Sequence, residues 1–296
     1  MRPELKWTNL SRRQIARRMG EAGPPVGRHV VSQLLYKHGY RRRKALKGKT
    51  MGHHQDRDAQ FEKIARLKRR CLEAGLPVIS IDTKKKELPG DFFREGKIDT
   101  RETVTTNDHD FASAGKGTVI PHGVYDVGRN PGFIHLNTSR DTGELACDSI
   151  AAWWERDGRA AYPGTKLLLV LCDGGGSNGA SRYVFKEQLE RLADRLGVEI
   201  RVAHYPPHCS KYNPIEHRLF CHVTRACRGV IFDTLEVARH YIGKTETATG
   251  LRVTVGVLEK VYETGLTCTE GFKETMDIVF DKLLPKWNYR ALPQRT

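Results

Sequence analysis

Three acidic residues stand where a strand ends or a helix begins. Asp82 and Asp173 each follow an apolar run of strand length, residues 77–81 and 166–172, and Glu216 suits the first turn of a helix. A carboxylate at the end of a buried strand is unfavourable unless a positive group meets it. Mg²⁺ and Mn²⁺ prefer oxygen ligands and are held by a few carboxylates with phosphate and water. The three acids therefore predict a divalent-ion site.

Each acid also has an ordinary structural explanation when it is taken alone, as a helix cap, a turn residue or a first-turn helix acid. Their shared place at the opening of a predicted sheet favours the metal site. Asp126 is a rival for the middle carboxylate, but it lies within a predicted hairpin strand rather than at its end. The polar loop of Asp108, His109 and Asp110 is left unassigned.

The elements that would position these acids alternate between strand and helix. The strand before the second acid is followed by glycines 174–176 and by a helix predicted to begin near Ser177 or Asn178 and to end at Gly197. A second apolar strand covers 198–204. This order places two carboxylates at one end of a sheet.

The rest of the chain completes a mixed sheet with helices on its faces. The other predicted elements are helices at 56–73, 142–156, 234–244 and 270–284 and strands at 124–127, 133–137 and 251–258. The strands at 124–127 and 133–137 flank a strong turn signal and form a predicted hairpin.

Four motifs carry a family resemblance. They are IDTKKKE at 81–87, HGVYDVGRN at 122–130, DGGGSN at 173–178 and NPIEHRLF at 213–220. They resemble a bacterial insertion-sequence transposase with a DDE domain, of the Rhodopirellula type and kin to the mariner superfamily, over about residues 5 to 290. The resemblance implies an α/β, ribonuclease H-like core whose DDE triad falls on Asp82, Asp173 and Glu216, with Mg²⁺ or Mn²⁺ between them.

The expected chemistry is in-line phosphoryl transfer assisted by two divalent ions, one at the attacking oxygen and one at the leaving oxygen. With water as nucleophile it would cut DNA at a transposon end, and with the freed 3′-hydroxyl it would join that end to target DNA. Four further residues are expected near the scissile phosphate, and equally suit an ordinary surface: Lys84, Lys85, His217 and Arg218.

Positive charge is concentrated at the start of the chain. The net charge is +15, and residues 1–50 hold fourteen Lys or Arg against Glu4 and Glu21. A basic module joined to a nearly balanced domain favours a polyanion partner, here double-stranded DNA. The alternative is a solvated basic tail. The predicted organisation is a DNA-binding module at 1–50, a linker helix at 51–76 and a catalytic domain at 77–296, with a homodimer on DNA as one possible assembly.

Two short amphipathic helices in this module predict a helix-turn-helix. Ser11 and Gln14 form a predicted capping box, and a second helix runs over about 27–38, with Val30, Val31, Leu34 and Leu35 as its buried side. The outward side of that helix would read DNA through Arg28, His29, Ser32 and Gln33, and phosphates would be bound by Arg41, Arg42, Arg43 and Lys44. The resemblance also implies more DNA-binding chain before this point, so Met1 is expected to mark a truncated or alternative start.

Composition argues against membrane, secreted and disulfide-stabilised proteins. The 296 residues contain no apolar run of membrane-spanning length and no secretory signal, so we expect a cytoplasmic protein without membrane contact. Seven scattered cysteines without a Cys-x-x-Cys pair favour reduced thiols. One His- and Cys-rich segment could suit zinc, although its spacings match no usual ligand pair: His204, His208, Cys209, His217, Cys221, His222 and Cys227.

Two functions from other classes stay open. Gly174, Gly176 and Gly179 match the dinucleotide-binding fingerprint of an NAD-dependent oxidoreductase, but His204 stands where the ribose-binding acid is expected. A non-catalytic DNA-binding regulator derived from a transposase is the stronger alternative. Binding of Mn²⁺ by the acids would indicate the transposase, and its absence would favour the regulator.

Overall fold

A computed structural model describes residues 6–44, 54–109 and 111–294. The boundary predicted at residue 50 and the unassigned Asp110 lie outside these described residues. The chain divides into two compact units, residues 1–49 and 50–296. None of the helices found in the described ranges combines the length and apolar character that a membrane crossing requires.

The N-terminal unit contains two helices that contact each other, α1 (Arg12–Ala22) and α2 (Arg28–Lys37). The predicted capping box is confirmed, because Ser11 Oγ accepts from the Gln14 amide and the Gln14 side chain accepts from the Ser11 amide. The apolar side of α2 is narrower than predicted. Val31 is buried, whereas Val30 is 41% exposed.

The larger unit forms a single sheet of eight strands within the described residues. The strands are β1 (Val78–Thr83), β2 (Ile120–Asp126), β3 (Gly132–Asn137), β4 (Leu167–Cys172), β5 (Glu199–His204), β6 (Val253–Val257), β7 (Ile278–Phe280) and β8 (Asn288–Ala291). Its helices are α3 (Arg57–Glu73), α4 (Gly143–Trp153), α5 (Arg159–Ala161), α6 (Tyr183–Leu196), α7 (Cys221–Ala226), α8 (Leu235–Gly243) and α9 (Phe272–Thr275). Two π-helical turns, Trp154–Gly158 and Glu216–Phe220, adjoin α4 and α7.

The strand order is β6-β3-β2-β1-β4-β5-β8-β7. Strands β1, β2 and β3 pair antiparallel, and β4 and β5 continue from β1 in parallel. This mixed sheet with flanking helices is the ribonuclease H-like fold that the sequence predicts. The parallel pairing matters for function, because it brings the carboxyl ends of β1 and β4 to the same edge of the sheet.

Both faces of the sheet are covered, which explains why β4 is apolar throughout. On one face α4 and α6 contribute Trp153 and Phe185, both fully buried, to the main core. On the other face α3 covers β4 and β5, and the π-turn before α7 covers β2 and β3. There Leu219 lies so close to Gly132 that a Cβ at that glycine would be 2.4 Å from Leu219 Cδ1.

The helix predicted at 270–284 is wrong. Only Phe272–Thr275 is helical, and Ile278–Phe280 pairs with β8 as the edge strand of the sheet. One edge of β8 pairs with β5, and its other edge offers backbone hydrogen-bond partners to β7. A short amphipathic pattern in the sequence does not reveal such pairing.

Candidate active site

Asp82 and Asp173 stand at equivalent places on neighbouring parallel strands. Ser80 of β1 is the partner of Leu171 of β4, and the same offset carried two residues further sets Asp82 opposite Asp173. Side chains alternate along a strand, so both acids face the side of the sheet that Ser80 faces. Neighbouring strands lie about 4.8 Å apart. The fold therefore delivers two carboxylates to one point at the sheet edge.

A buried hydrogen-bond network brings Glu216 to the same edge. Ser80 Oγ donates to Asn213 Oδ1 at 2.5 Å and accepts from the Ile215 amide at 3.0 Å. Asn213 Nδ2 also donates to the Ile81 carbonyl at 3.1 Å. Ser80 and Asn213 are both fully buried. The start of the segment that carries Glu216 is thus tied to β1 beside its terminal acid.

In this network the Asn213 side chain bonds to β1 and does not cap a helix. Glu216 begins a π-helical turn instead of a regular first turn. Close approach of this turn to the sheet requires Gly123, the β2 partner of Asp82, since a Cβ there would lie 2.6 Å from Phe220 Cε1. The positioning roles of Ser80 and Gly123 leave no signal in the sequence.

His204 contacts the backbone of Asp173. Its Nδ1 donates to the Asp173 carbonyl at 2.8 Å, and the Tyr289 hydroxyl donates to its Nε2 at 2.9 Å. Burial lowers the pKa of His204 to about 4, so the imidazole is neutral near pH 7. His204 therefore holds the backbone of an acid-bearing loop, a role that its place at the end of a strand does not reveal.

The backbone conformation after Asp173 requires glycines. A Cβ at Gly174 would lie 2.8 Å from the Tyr205 carbonyl oxygen, and Gly176 has a φ of +70°. The helix predicted to begin near Ser177 or Asn178 is wrong at its start, because those residues form a 3₁₀ turn and α6 begins at Tyr183. A helix N-terminus does not follow the glycines directly, which is unlike the dinucleotide-binding fingerprint.

A fourth acid, Asp141, shares the cavity of the first two. The cavity has a volume of about 230 Å³, and Asp82, Asp141 and Asp173 all line it. Asp141 Oδ1 accepts from Thr83 Oγ1 at 3.0 Å and from Ser177 Oγ at 3.1 Å. Asp141 is not among the predicted site residues, although its place directly before the cap of a predicted helix is visible in the sequence.

The acids raise one another's pKa values. Burial, and then the charges of Asp173, Glu216 and Asp141, raise the pKa of Asp82 to about 7. Burial and Asp141 raise the pKa of Asp173, and burial and Asp173 raise that of Glu216 against the opposing charge of Lys84. These mutual effects place Asp82, Asp173 and Glu216 in one electrostatic site.

The oxygen donors around this cavity suit a hard divalent cation, because they are carboxylate, hydroxyl and amide oxygens, and Lys84, Lys85 and Lys86 also line the cavity. Over residues 6–44, 54–109 and 111–294, however, no three or more His, Cys, Asp or Glu side chains are gathered closely enough to hold a metal ion. This holds for the His- and Cys-rich segment as well as for the acids. The carboxylates fit the ion in ligand type and place, and they would have to approach one another to share it.

Metal-free stability is expected to depend on pH through Asp82. Its pKa is about 7 in the folded chain and about 3.9 in an unfolded one, so between these values the folded state holds a proton that the unfolded state has released. The free energy of unfolding should therefore fall as pH rises from about 4 to about 7. Thermal melting in chelator should show this fall in the wild type and a flatter profile in Asp82→Asn. Equal pH profiles of the melting temperature in the two proteins would contradict the raised pKa of Asp82.

Basic groups border the acids. Lys84 forms a 2.8 Å ion pair with Glu87, which also binds Arg94 at 2.8 Å. Lys85 is exposed, as are His217 and Arg218 on the π-turn. A groove of about 620 Å³ runs between the lysine segment and the π-turn. All four residues expected near the scissile phosphate thus lie on segments that carry or follow an acid.

The predicted DNA-binding residues of the N-terminal unit are mostly exposed. On α2, Arg28, His29 and Gln33 are exposed, whereas Ser32 is half-buried and its Oγ donates to the Arg28 carbonyl at 3.2 Å. After α2, the guanidinium of Arg41 stacks 3.5 Å from the Tyr36 ring centroid and donates to the Tyr36 and Tyr40 carbonyls. The remaining cations of this run, Arg42, Arg43 and Lys44, are also exposed.

Asp126, the rival carboxylate, lies at the other end of β1, where it is the partner of Ile79. It is fully buried and accepts hydrogen bonds from the Gly128 amide at 3.0 Å and the Tyr162 hydroxyl at 2.9 Å. Its contacts close the β2–β3 turn, so it belongs to the scaffold.

Nearly the whole chain matches one family of known proteins. A family model described as "Rhodopirellula transposase DDE domain" matches residues 1–293. No curated protein matches. Solved structures of the Mos1 mariner paired-end complex with Mg and with Mn superpose with TM-scores of 0.49 and 0.48 at 13% and 14% identity. In both, 79% of this chain covers 65% of that chain, so this chain spans slightly less than two thirds of their length.

Proposed function

The chain belongs to the Rhodopirellula transposase DDE domain family, and we propose that it cuts DNA at transposon ends and joins those ends to target DNA. Both steps are in-line displacements at phosphorus, with water as the first nucleophile and a DNA 3′-hydroxyl as the second. In each, a P–O bond to the nucleophile forms as the P–O bond to the leaving oxygen breaks.

One observation carries this proposal. Two acids on adjacent parallel strands and a third on a turn tied to β1 share one electrostatic site at the sheet edge. Structural ion pairs would leave such acids with cationic partners, yet the pKa values of all three are raised. Lys84, Lys85 and Lys86 line the same cavity, but among the described residues none of them forms an ion pair with these three acids. Acids that stay uncompensated in this way favour divalent-ion binding.

Asp82, Asp173 and Glu216 would hold Mg²⁺ or Mn²⁺, which when bound supply Lewis-acid stabilisation of the attacking and leaving oxygens. The chain's own residues orient the substrate. The charge of Lys84 opposes the rise in the pKa of Glu216, and its ammonium group, which pairs with Glu87, would bind a phosphate oxygen at this site. Lys85, His217 and Arg218 would bind the neighbouring phosphates.

The direct test is cleavage of double-stranded DNA that carries the sequences flanking this gene. We expect strand breaks that require Mn²⁺ or Mg²⁺, together with Mn²⁺ binding by calorimetry. If the protein binds this DNA but neither binds Mn²⁺ nor cuts, it is a DNA-binding regulator rather than an active transposase. NAD binding would instead support an oxidoreductase.

The basic run after α2 should contribute to DNA affinity in a salt-dependent way. Every phosphate that the protein no longer neutralises reduces the slope of log K against log salt by about 0.9. Replacing Arg42, Arg43 and Lys44 by Gln should therefore weaken DNA binding and reduce that slope by up to about 3. Fluorescence anisotropy over a salt series measures both quantities. An unchanged slope would contradict phosphate binding by this run, and unchanged Mn²⁺ affinity is the control.

A further inference from the structure

Asp141 connects the end of β1, which carries Asp82, with the loop that follows Asp173. Its Oδ1 accepts one hydrogen bond from Thr83 Oγ1 at 3.0 Å and another from Ser177 Oγ at 3.1 Å. Thr83 directly follows Asp82, and Ser177 lies in the loop that follows Asp173. A single carboxylate oxygen thus bridges both acid-bearing segments.

The end of β1 is held by its pairing with β2, but the loop after Asp173 needs a tie from outside the sheet. The loop after Asp173 contains three consecutive glycines, whose backbone freedom makes a fixed conformation costly. His204 holds the start of this loop through the Asp173 carbonyl, but the hydrogen bond from the Gly175 amide to Asp173 Oδ1 is long, at 3.4 Å. The acids also repel one another when no cation lies between them. Sheet pairing alone does not continue past Cys172, the last residue of β4.

Asp141 is itself held by a rigid element. It precedes Thr142, which caps α4 by accepting from the Leu145 amide at 3.1 Å. Helix α4 packs closely on α6, since a Cβ at Gly143 would lie 3.1 Å from Phe185 Cβ. The carboxylate of Asp141 is therefore anchored to the core, and hydrogen bonds to a charged acceptor are among the stronger ones.

We propose that Asp141 is a positioning residue that ties the end of β1 and the loop after Asp173 to α4, so that the carboxylates of Asp82 and Asp173 reach the same divalent ion. This inference rests on the proposed function of the site. Its distinctive content is that Asp141 acts through the hydroxyls of Thr83 and Ser177 and not by its charge alone.

The decisive variant is the double substitution Thr83→Val with Ser177→Ala, which removes both hydroxyl donors and keeps the Asp141 carboxylate. Mn²⁺ affinity, measured by calorimetry on the full chain, should fall about tenfold, the lower end of the effect of losing a direct partner of a metal ligand, because these hydroxyls act on the ligands through Asp141. The kcat of cleavage should fall with it, while DNA affinity stays the same. Thr83→Ser keeps a hydroxyl and should stay within about threefold of the wild type.

An opposite pattern overturns the proposal. If the double variant binds Mn²⁺ as the wild type does while Asp141→Ala loses affinity, Asp141 acts through its charge and not as a tie. Equal melting temperatures in chelator are the control for general unfolding.

Hydrogen exchange tests the tie without metal or DNA. In chelator, amides of residues 174–179 should exchange at least about threefold faster in Ser177→Ala and in Asp141→Ala than in the wild type, because the loop opens more often. Unchanged exchange rates in both variants would contradict the proposed role of Asp141, even if the enzyme is active. If instead the wild type neither binds Mn²⁺ nor cuts DNA, the proposed function fails, while the exchange rates still decide whether Asp141 holds the loop.

Discussion

Asp173→Asn is expected to reduce DNA cleavage by about 10³-fold or more. The substitution replaces one carboxylate of the site by a neutral amide and so removes a ligand charge from the divalent ion. Metal stabilisation of the reacting oxygens contributes several kcal/mol, and each ~1.36 kcal/mol corresponds to a factor of ten in rate. Single-turnover cleavage with Mn²⁺ measures the loss.

In this variant, stability and DNA binding should not decrease together with cleavage activity. The pKa of Asp173 is raised by burial and by Asp141, so a neutral side chain relieves an unfavourable charge in the metal-free protein. Asp173→Asn should therefore melt at or above the wild-type temperature in chelator. Asp58→Asn, at a side chain 81% exposed on α3, is the matched control and should cut normally. Equal cleavage by Asp173→Asn and the wild type would contradict the mechanism.

Asn213→Ala is expected to damage both stability and activity. It leaves the buried Ser80 hydroxyl without its acceptor and the Ile81 carbonyl without a side-chain donor. Each buried polar group left unsatisfied costs about 1–3 kcal/mol, so we expect a loss of about 2–4 kcal/mol in the free energy of unfolding. Chemical denaturation measures this loss.

The effect of Asn213→Ala on cleavage should exceed what partial unfolding explains. The network positions the segment of Glu216, and displacement of a catalytic group by about 1 Å can cost about 10²-fold in rate. Cleavage should be compared at a temperature where the variant is folded. The control is Asn288→Ala, which breaks a buried amide pair with Gln60 and should destabilise the protein while the folded fraction keeps its activity. Similar rates for both variants would refute a positioning role for Asn213.

Much of the fold follows from local patterns. Strand β4 is recognisable because a strand covered on both faces must be apolar along its whole length. The β2–β3 hairpin is recognisable because Gly128, Asn130 and Pro131 stand between two apolar runs. The edge strand β7 is absent from the sequence prediction because three residues carry too little periodicity to outweigh a longer helical pattern.

The sequence by itself determined the family through the resemblance of its four motifs. It also determined the order of the main elements and the three acids proposed for catalysis, because strand periodicity and helix signals are local properties of the chain. Only the tertiary structure decided which residues hold those acids in place. Asn213 reaches back to Ser80, His204 binds the Asp173 backbone and Asp141 bridges Thr83 to Ser177. These partners are far apart in the chain, and a side-chain hydrogen bond leaves no periodic trace, so pairing of this kind is set by how the strands and helices pack.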